Sequence, residues 1–248
     1  MKIVIVSYKR ADRVLTIANF KEGDCIIACN QSDALKYKGY YQGFEILEVP
    51  DIIEGNIARK RNWVLNKIND DVLFLDDDLE FIGYNELTSE KYYQKLDRDE
   101  LLHFIENGFA MAHEFGTVLW GVNVQKDPKF YREFTPFSML SPVLGPFMGI
   151  VRNDLRFDEN IDLKEDYDYF LQVVHKYHKV LRFNKYFYSA GHIDNLGGIS
   201  LVRSQDHERI CAERLVKKWG KSIVDIERKT QHGNETINPI IRVPIKGI

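Results

Sequence analysis

The sequence predicts an α/β protein in which a mostly parallel sheet is flanked by helices, a single domain with a C-terminal helical extension. Three observations carry that expectation. Residues 2–6 (KIVIV) and 72–75 (VLFL) are short, unalternating apolar runs, the pattern of strands buried on both faces inside a parallel sheet. Helical and strand-like segments alternate between and after them, with little sequence left over. The chain has 248 residues, 44% of them hydrophobic, enough for one large core.

The elements follow in order. After the first strand, the polar turn Ser7-Tyr8-Lys9-Arg10 leads into a short helix over 11–20, then strands at 25–29 (CIIAC) and 44–49 (FEILEV), the latter stopped by Pro50. From Asn56 to Ile68, the apolar residues Ile57, Trp63, Val64, Leu65 and Ile68 form a helical stripe interleaved with Arg59, Lys60, Arg61 and Asn62. The 72–75 strand ends in Asp76-Asp77-Asp78. A helix at 99–115, a strand at 117–124 and an irregular stretch rich in proline and aromatic residues follow. Then come a helix over 163–178 with Asp162 as N-cap, a strand at 180–188, a glycine-rich loop at 191–198 and a charged amphipathic helix near 204–219. The expected division is a catalytic unit over 1–202 with a basic helix and tail, 203–248, packed on it.

Composition narrows the function classes. With 34 Lys+Arg against 37 Asp+Glu the formal charge is −3, which excludes both an acidic disordered chain and a wholly basic nucleic-acid binder. The charge is uneven, however: residues 203–248 hold ten basic against six acidic residues, a local +4 that leaves −7 on the rest. Cys25, Cys29 and Cys211 form an odd set without zinc-motif spacing, which argues against a disulfide framework and against a structural zinc, and the expected setting is a reducing cytoplasm. No run of about 18 apolar residues suggests a membrane segment.

Three adjacent aspartates at the mouth of a buried strand repel one another unless a cation or an array of donors balances them, and hard divalent ions favour such oxygen ligands. Asn56-x-x-Arg59-x-x-Asn62 lies on the helix before that strand, and Glu165-Asp166 opens a later helix, where the dipole favours ionised carboxylates. His192 stands in SAGH, ahead of Asn195-x-Gly197-Gly198.

Taken in order, these motifs resemble glycosyltransferases of the GT-A fold, which are built on one Rossmann-like sheet. The resemblance spans residues 3 to about 170, including Gly149, Arg152 and Phe157-Asp158-Glu159 ahead of Glu165-Asp166, and implies a nucleotide-sugar donor, with a UDP-sugar expected. It implies that Ser7, Tyr8, Lys9 and Arg10 cradle base and ribose and that Arg59 and Asn62 meet the donor, Arg59 and Lys60 pairing with the donor or with the aspartates. Asp76 and Asp78 match the DXD motif, Asp76 touching ribose or metal and Asp78 ligating Mn²⁺ or Mg²⁺, with His192 as a further metal ligand and Asp77 a neighbour without a direct role. Asp166 is the expected catalytic base of an inverting displacement, with Glu165 second; the stretch at 147–149 either lines the sugar pocket or packs in the hydrophobic core.

A narrower resemblance rests on the KIVIVSYKR start, the KEDYDYF element, the SAGHIDNLGG segment and the basic helix after it. These look like bacteriophage glycosyltransferases of the TET-associated group, which decorate modified pyrimidines in DNA. The implied acceptor is a hydroxyl on a hydroxymethylated or already glycosylated pyrimidine in double-stranded DNA, with Lys217, Lys218, Lys221, Arg228 and Lys229 on its phosphates. The alternatives are a glycosyltransferase for bacterial surface polysaccharide or lipid-linked glycan, and a nucleotide- or divalent-ion-binding module without turnover. A nucleotidyltransferase would use the same aspartates, but no glycine-rich phosphate loop follows the first strand.

Overall fold

The computed structural model describes residues 1–88, 92–124, 131–191, 204–231 and 234–243. Its first half alternates as expected: β1 (Lys2–Val6), β2 (Ile26–Asn30), α1 (Ala34–Tyr40), β3 (Glu45–Val49), α2 (Ile57–Lys67) and β4 (Val72–Asp76). β1 pairs in parallel with both β2 and β4, and β2 with β3, so β1 sits inside the sheet and buries Ile3 to Val6 from both faces. The helix expected over 11–20 is only a 3₁₀ turn at Leu15–Asn19, and α1 appears where no helix was expected.

The second half mixes directions. β5 (Leu79–Asn85), β6 (Tyr93–Lys95), α3 (Arg98–Glu114), β7 (Leu119–Asn123), β8 (Phe137–Ser138), β9 (Phe147–Ile150), α4 (Glu165–Tyr177) and β10 (Leu181–Ala190) extend the sheet to the order β3-β2-β1-β4-β9-β7-β10-β5-β6, with β8 on β10. β9, β5 and β8 run against their neighbours, whereas β10 is parallel to β7. β9 lies inside the stretch expected to be irregular: its four residues are all buried, wedged between β4 and β7. The core there is aromatic. Trp120 is fully buried and takes edge contacts from Phe104, Phe109, Phe147 and Phe183 at 5.2–5.9 Å between ring centroids. Its ring lies against Gly149, where a β-carbon would come within 2.0 Å of the indole nitrogen, so packing accounts for that glycine.

The chain continues into α5 (Gln205–Trp219) and an antiparallel hairpin of β11 (Val224–Gln231) and β12 (Asn234–Ile241) that packs on α5. A helix and tail were expected here; the hairpin was not. Asp168 of α4, wholly buried, accepts from Trp219 Nε1 at 2.8 Å and Lys218 Nζ at 3.0 Å and so fixes the end of α5. Among the described residues no helix is long and apolar enough to cross a membrane.

Candidate active site

A cavity of about 280 Å³ opens at the carboxyl ends of β1 and β4, where parallel sheets place their ligands. The aspartate turn between β4 and β5 forms one wall. Thr16, fully buried, clamps that turn: its hydroxyl donates to the Asp76 carbonyl and accepts the Leu79 N–H at 2.9 Å. The Gly191 N–H, at the end of β10, donates to the Asp78 carbonyl at 3.0 Å, so β10 ends against the same turn.

The middle aspartate faces inward. Asp77 is buried and accepts from Ser7 Oγ and from Arg10 Nη1, each at 2.6 Å. Ser7 Oγ shares a 2.8 Å hydrogen bond with the Tyr37 hydroxyl, which accepts the Arg10 N–H at 3.0 Å. Lys60 of α2, ion-paired with Glu54 at 2.8 Å, donates to the Ser7 carbonyl at 2.6 Å. The turn after β1 is therefore tied to the turn after β4, to α1 and to α2 by buried side chains. Arg10 also stands 3.8 Å from Asp78, so one guanidinium serves two of the three aspartates.

Opposite, Arg61 of α2 is 1% exposed and joins two carboxylates from distant parts of the chain. Its Nη1 donates to Glu165 Oε1 at 2.7 Å, and its Nη2 to Asp76 Oδ1 at 3.2 Å and to the Gly145 carbonyl at 3.1 Å. The Gly145 N–H donates to Asp166 Oδ2 at 3.0 Å. Gly145 thus holds Arg61 with one side of its backbone and Asp166 with the other. Asp166 is half-buried and lines the cavity; Glu165 is buried behind Arg61.

This crowding sets the electrostatics. Burial pushes the Asp76 carboxyl up to about 7, Arg61 opposing and Asp78, Asp77 and Asp166 adding to the rise. Burial, with the Asp166 charge beside it, pushes Glu165 up to about 8 against the pull of Arg61. Burial likewise raises Asp77 despite Arg10. The lining holds five carboxylates against Arg10, Arg61 and Lys60, an excess of acid that favours an added cation.

The donor set fits a hard ion that keeps other ligands. Asp76 and Asp78 offer only oxygens, and among the described residues they are not part of any group of three ligating side chains with donor atoms within 4.8 Å of one another. An ion such as Mg²⁺ or Mn²⁺ is held in this way, by one or two carboxylates with substrate phosphates and water.

Of the residues singled out in the sequence, Ser7, Tyr8, Arg10, Asp76, Asp78, Glu165 and Asp166 line the cavity. Lys9 does not: it is exposed at φ 54°, its ammonium 5.0 Å over the Tyr8 ring. Arg59 and Asn62 also lie off the lining. Arg59 is exposed, reaching the Ile52 carbonyl and Glu159, whereas Asn62 exchanges hydrogen bonds of 2.9 and 2.8 Å with the Phe157 backbone and so anchors the segment before α4. The α2 residues that do face the cavity are Ile57, Lys60 and Arg61. Helical spacing held that signal, since 57, 60, 61 and 64 share a face and Val64 is buried. Asp162 is not the cap of α4, which starts after Lys164; its carboxylate meets His207 and Cys211 instead. His192 lies outside the described residues.

Comparison with known proteins gives the family. No curated protein matches the sequence. Mannosyl-3-phosphoglycerate synthase from Rubrobacter xylanophilus superposes with a TM-score of 0.50 over 98% of this chain and 87% of its own, at 10% identity, a likeness of fold alone. CMP:2-keto-3-deoxy-manno-octonic acid synthetase complexed with CTP is more distant, with a TM-score of 0.40 at 10% identity over 87% of this chain and 98% of that one. The sequence itself matches the TET-associated glycosyltransferase family over residues 1–198, which takes in β1, β4 and its aspartates, α4 and β10. This chain, with its GT-A-like sheet and acidic cavity, belongs to the TET-associated glycosyltransferases.

Proposed function

We propose that this glycosyltransferase moves a sugar from a nucleotide-sugar donor, a UDP-sugar by preference, to a hydroxyl on a modified pyrimidine of duplex phage DNA, with inversion at the anomeric carbon. The observation that carries the reading is the sharing of one cavity by Asp76, Asp78 and Asp166 with Arg10 and Arg61 at the carboxyl end of β4. The family's TET-associated description supports a modified base as acceptor.

Each residue then has a task. Tyr8 and the turn wired through Ser7, Arg10 and Asp77 bound the donor side. Asp76 and Asp78 would hold Mn²⁺ or Mg²⁺, which when bound with the donor diphosphate supplies Lewis-acid stabilisation of that leaving group. Asp166 faces the cavity from the first turn of α4 and accepts the acceptor's proton as its oxygen bonds to the anomeric carbon. The bond to the diphosphate oxygen breaks, and its electron pair leaves with the nucleoside diphosphate. Glu165, buried against Arg61, positions that guanidinium rather than meeting the acceptor.

The cations of α5 divide by partner. Lys218 is committed to Asp158 at 2.8 Å and to buried Asp168, and Arg214 to the Asn160 carbonyl, so these two hold α5 in place. Lys217 and Lys221 are exposed as well and are the ones to place on phosphates. The side chains of Arg228 and Lys229 lie outside what is described.

The test is a screen of nucleotide sugars for nucleoside diphosphate release with hydroxymethylated, glycosylated and unmodified duplex DNA. Release that depends on a modified base and on divalent metal is expected. Equal release with unmodified DNA or an oligosaccharide would move the acceptor to a cell-surface glycan, and full rate after chelation would show that no metal takes part.

A further inference from the structure

Asp162, His207 and Cys211 make a second cluster that the sugar-transfer chemistry does not use. His207 and Cys211 lie one turn apart on α5 and therefore share a face. Both converge on one carboxylate oxygen: His207 Nε2 is 2.9 Å and Cys211 Sγ 3.3 Å from Asp162 Oδ1. Among the described residues this is the one place where three ligating side chains bring a donor atom each within 4.8 Å of the others. Cys211 is wholly buried and Asp162 is 7% exposed.

We propose that Asp162, His207 and Cys211 bind a zinc-class divalent cation that pins α5 to the segment leading into Glu165 and Asp166. The donor set selects the ion. One imidazole, one thiolate and one carboxylate suit Zn²⁺ and disfavour Mg²⁺ or Mn²⁺, the reverse of the all-oxygen aspartate cavity. The charges agree as well, since a thiolate and a carboxylate neutralise a doubly charged ion and bury no net charge. Ligands around a tetrahedral zinc stand roughly 3.3–3.6 Å apart given bonds of about 2.0–2.3 Å, so the observed spacing needs only small side-chain rotations. Three protein ligands leave a fourth position for water. The consequence is mechanical: Asp162 precedes Lys164, which pairs with Glu208 of α5 at 2.8 Å, and α4 begins at the next residue with the proposed base one further on.

Cobalt substitution tests this without reference to transferase activity. Full-length protein stripped with chelator is titrated with Co²⁺. A thiolate-to-cobalt charge-transfer band is expected, saturating at one equivalent and displaced by Zn²⁺. Cys211→Ser should abolish the band, while Cys25→Ser, Cys29→Ser and Asp78→Asn keep it. His207 is partly exposed, so His207→Ala tests the site even if the serine variant does not fold; losing a ligand should weaken Co²⁺ by more than the roughly 10–100-fold that an outer partner costs. Zn²⁺ should raise the Tm of the parent protein and not that of His207→Ala. Absence of a thiolate band in the parent, its survival in Cys211→Ser, or unchanged affinity in His207→Ala would overturn the proposal.

Discussion

Gly145 lies so close to Arg61 that a β-carbon at that position would stand 2.9 Å from Nη2 of the guanidinium. The same glycine accepts from that nitrogen and donates to Asp166. Gly145→Ala should therefore push Arg61 off Asp76 and Glu165 and tilt the proposed base. The transfer rate should fall at least tenfold with secondary structure retained, as measured by steady-state transfer and circular dichroism. A wild-type rate would show that this close approach has no part in function.

Arg61 carries stability as well as geometry. Arg61→Ala leaves Glu165 buried without its partner and should cost about 3 kcal/mol or more in chemical denaturation. Arg61→Lys keeps the charge but offers a point in place of a fork, so it should recover part of the stability and little of the rate.

Asp77 and Asp78 are adjacent but predict opposite phenotypes. Asp77→Asn weakens the bonds to Ser7 and Arg10, so it should cost about 1–3 kcal/mol of stability and raise the donor KM. Asp78 lies nearer solvent among like charges, and Asp78→Asn should leave stability unchanged or slightly higher while removing turnover. If Asp78→Asn unfolds the protein, the aspartate turn is structural throughout.

The cavity's acids predict a pH dependence of stability. Asp76 and Glu165 bind protons more tightly folded than unfolded, where carboxylates titrate near 4. Their protonation thus stabilises the fold fully below that range, and the contribution is lost as pH rises through about 7 and about 8. Between pH 5 and 9 the parent's Tm should fall relative to Glu165→Gln, and Mn²⁺ should flatten the fall. A Tm difference that does not change with pH would contradict these shifts.

For the acceptor, charge reversal at Lys217 and Lys221 should weaken duplex binding and make the log–log salt slope shallower by about 0.9 for each phosphate no longer neutralised, with donor hydrolysis intact. Lys218→Glu instead breaks the Asp168 pairing and should lower Tm. Unchanged salt slopes in the double variant would take DNA off the C-terminal end of α5 and the turn after it.

The parallel half of the sheet was legible because β1 and β4 are buried on both faces and so read as uninterrupted apolar runs. β5 was not: only Asp77 and Asp78 separate it from β4, and its exposed Glu80 and half-buried Tyr84 break the run. β9 is four residues long behind a proline and shows no periodicity. In the hairpin, charged residues in VDIERKTQ masked a strand whose partner follows directly. Within the site, the aspartates and Glu165-Asp166 were visible as local motifs, but Arg61 was hidden by the Asn-x-x-Arg-x-x-Asn spacing that drew notice to Arg59. Asp162 looked like a helix cap because its partners lie 45 and 49 residues away on α5, a distance no local pattern spans.

If the aspartate cavity transfers a sugar with Asp166 as base, a single-turnover comparison of the parent, Asp166→Asn and Glu165→Gln will separate the two carboxylates. The donor is the nucleotide sugar that the screen identifies, and the acceptor is modified duplex DNA. Asp166→Asn keeps the shape of the side chain but cannot take the proton, so transfer should slow by about 10²-fold or more with donor affinity unchanged. Glu165→Gln should retain more of the rate, since its oxygen still accepts from Arg61. Transfer at the parental rate by Asp166→Asn, with Glu165→Gln inactive, would contradict the assignment of the base.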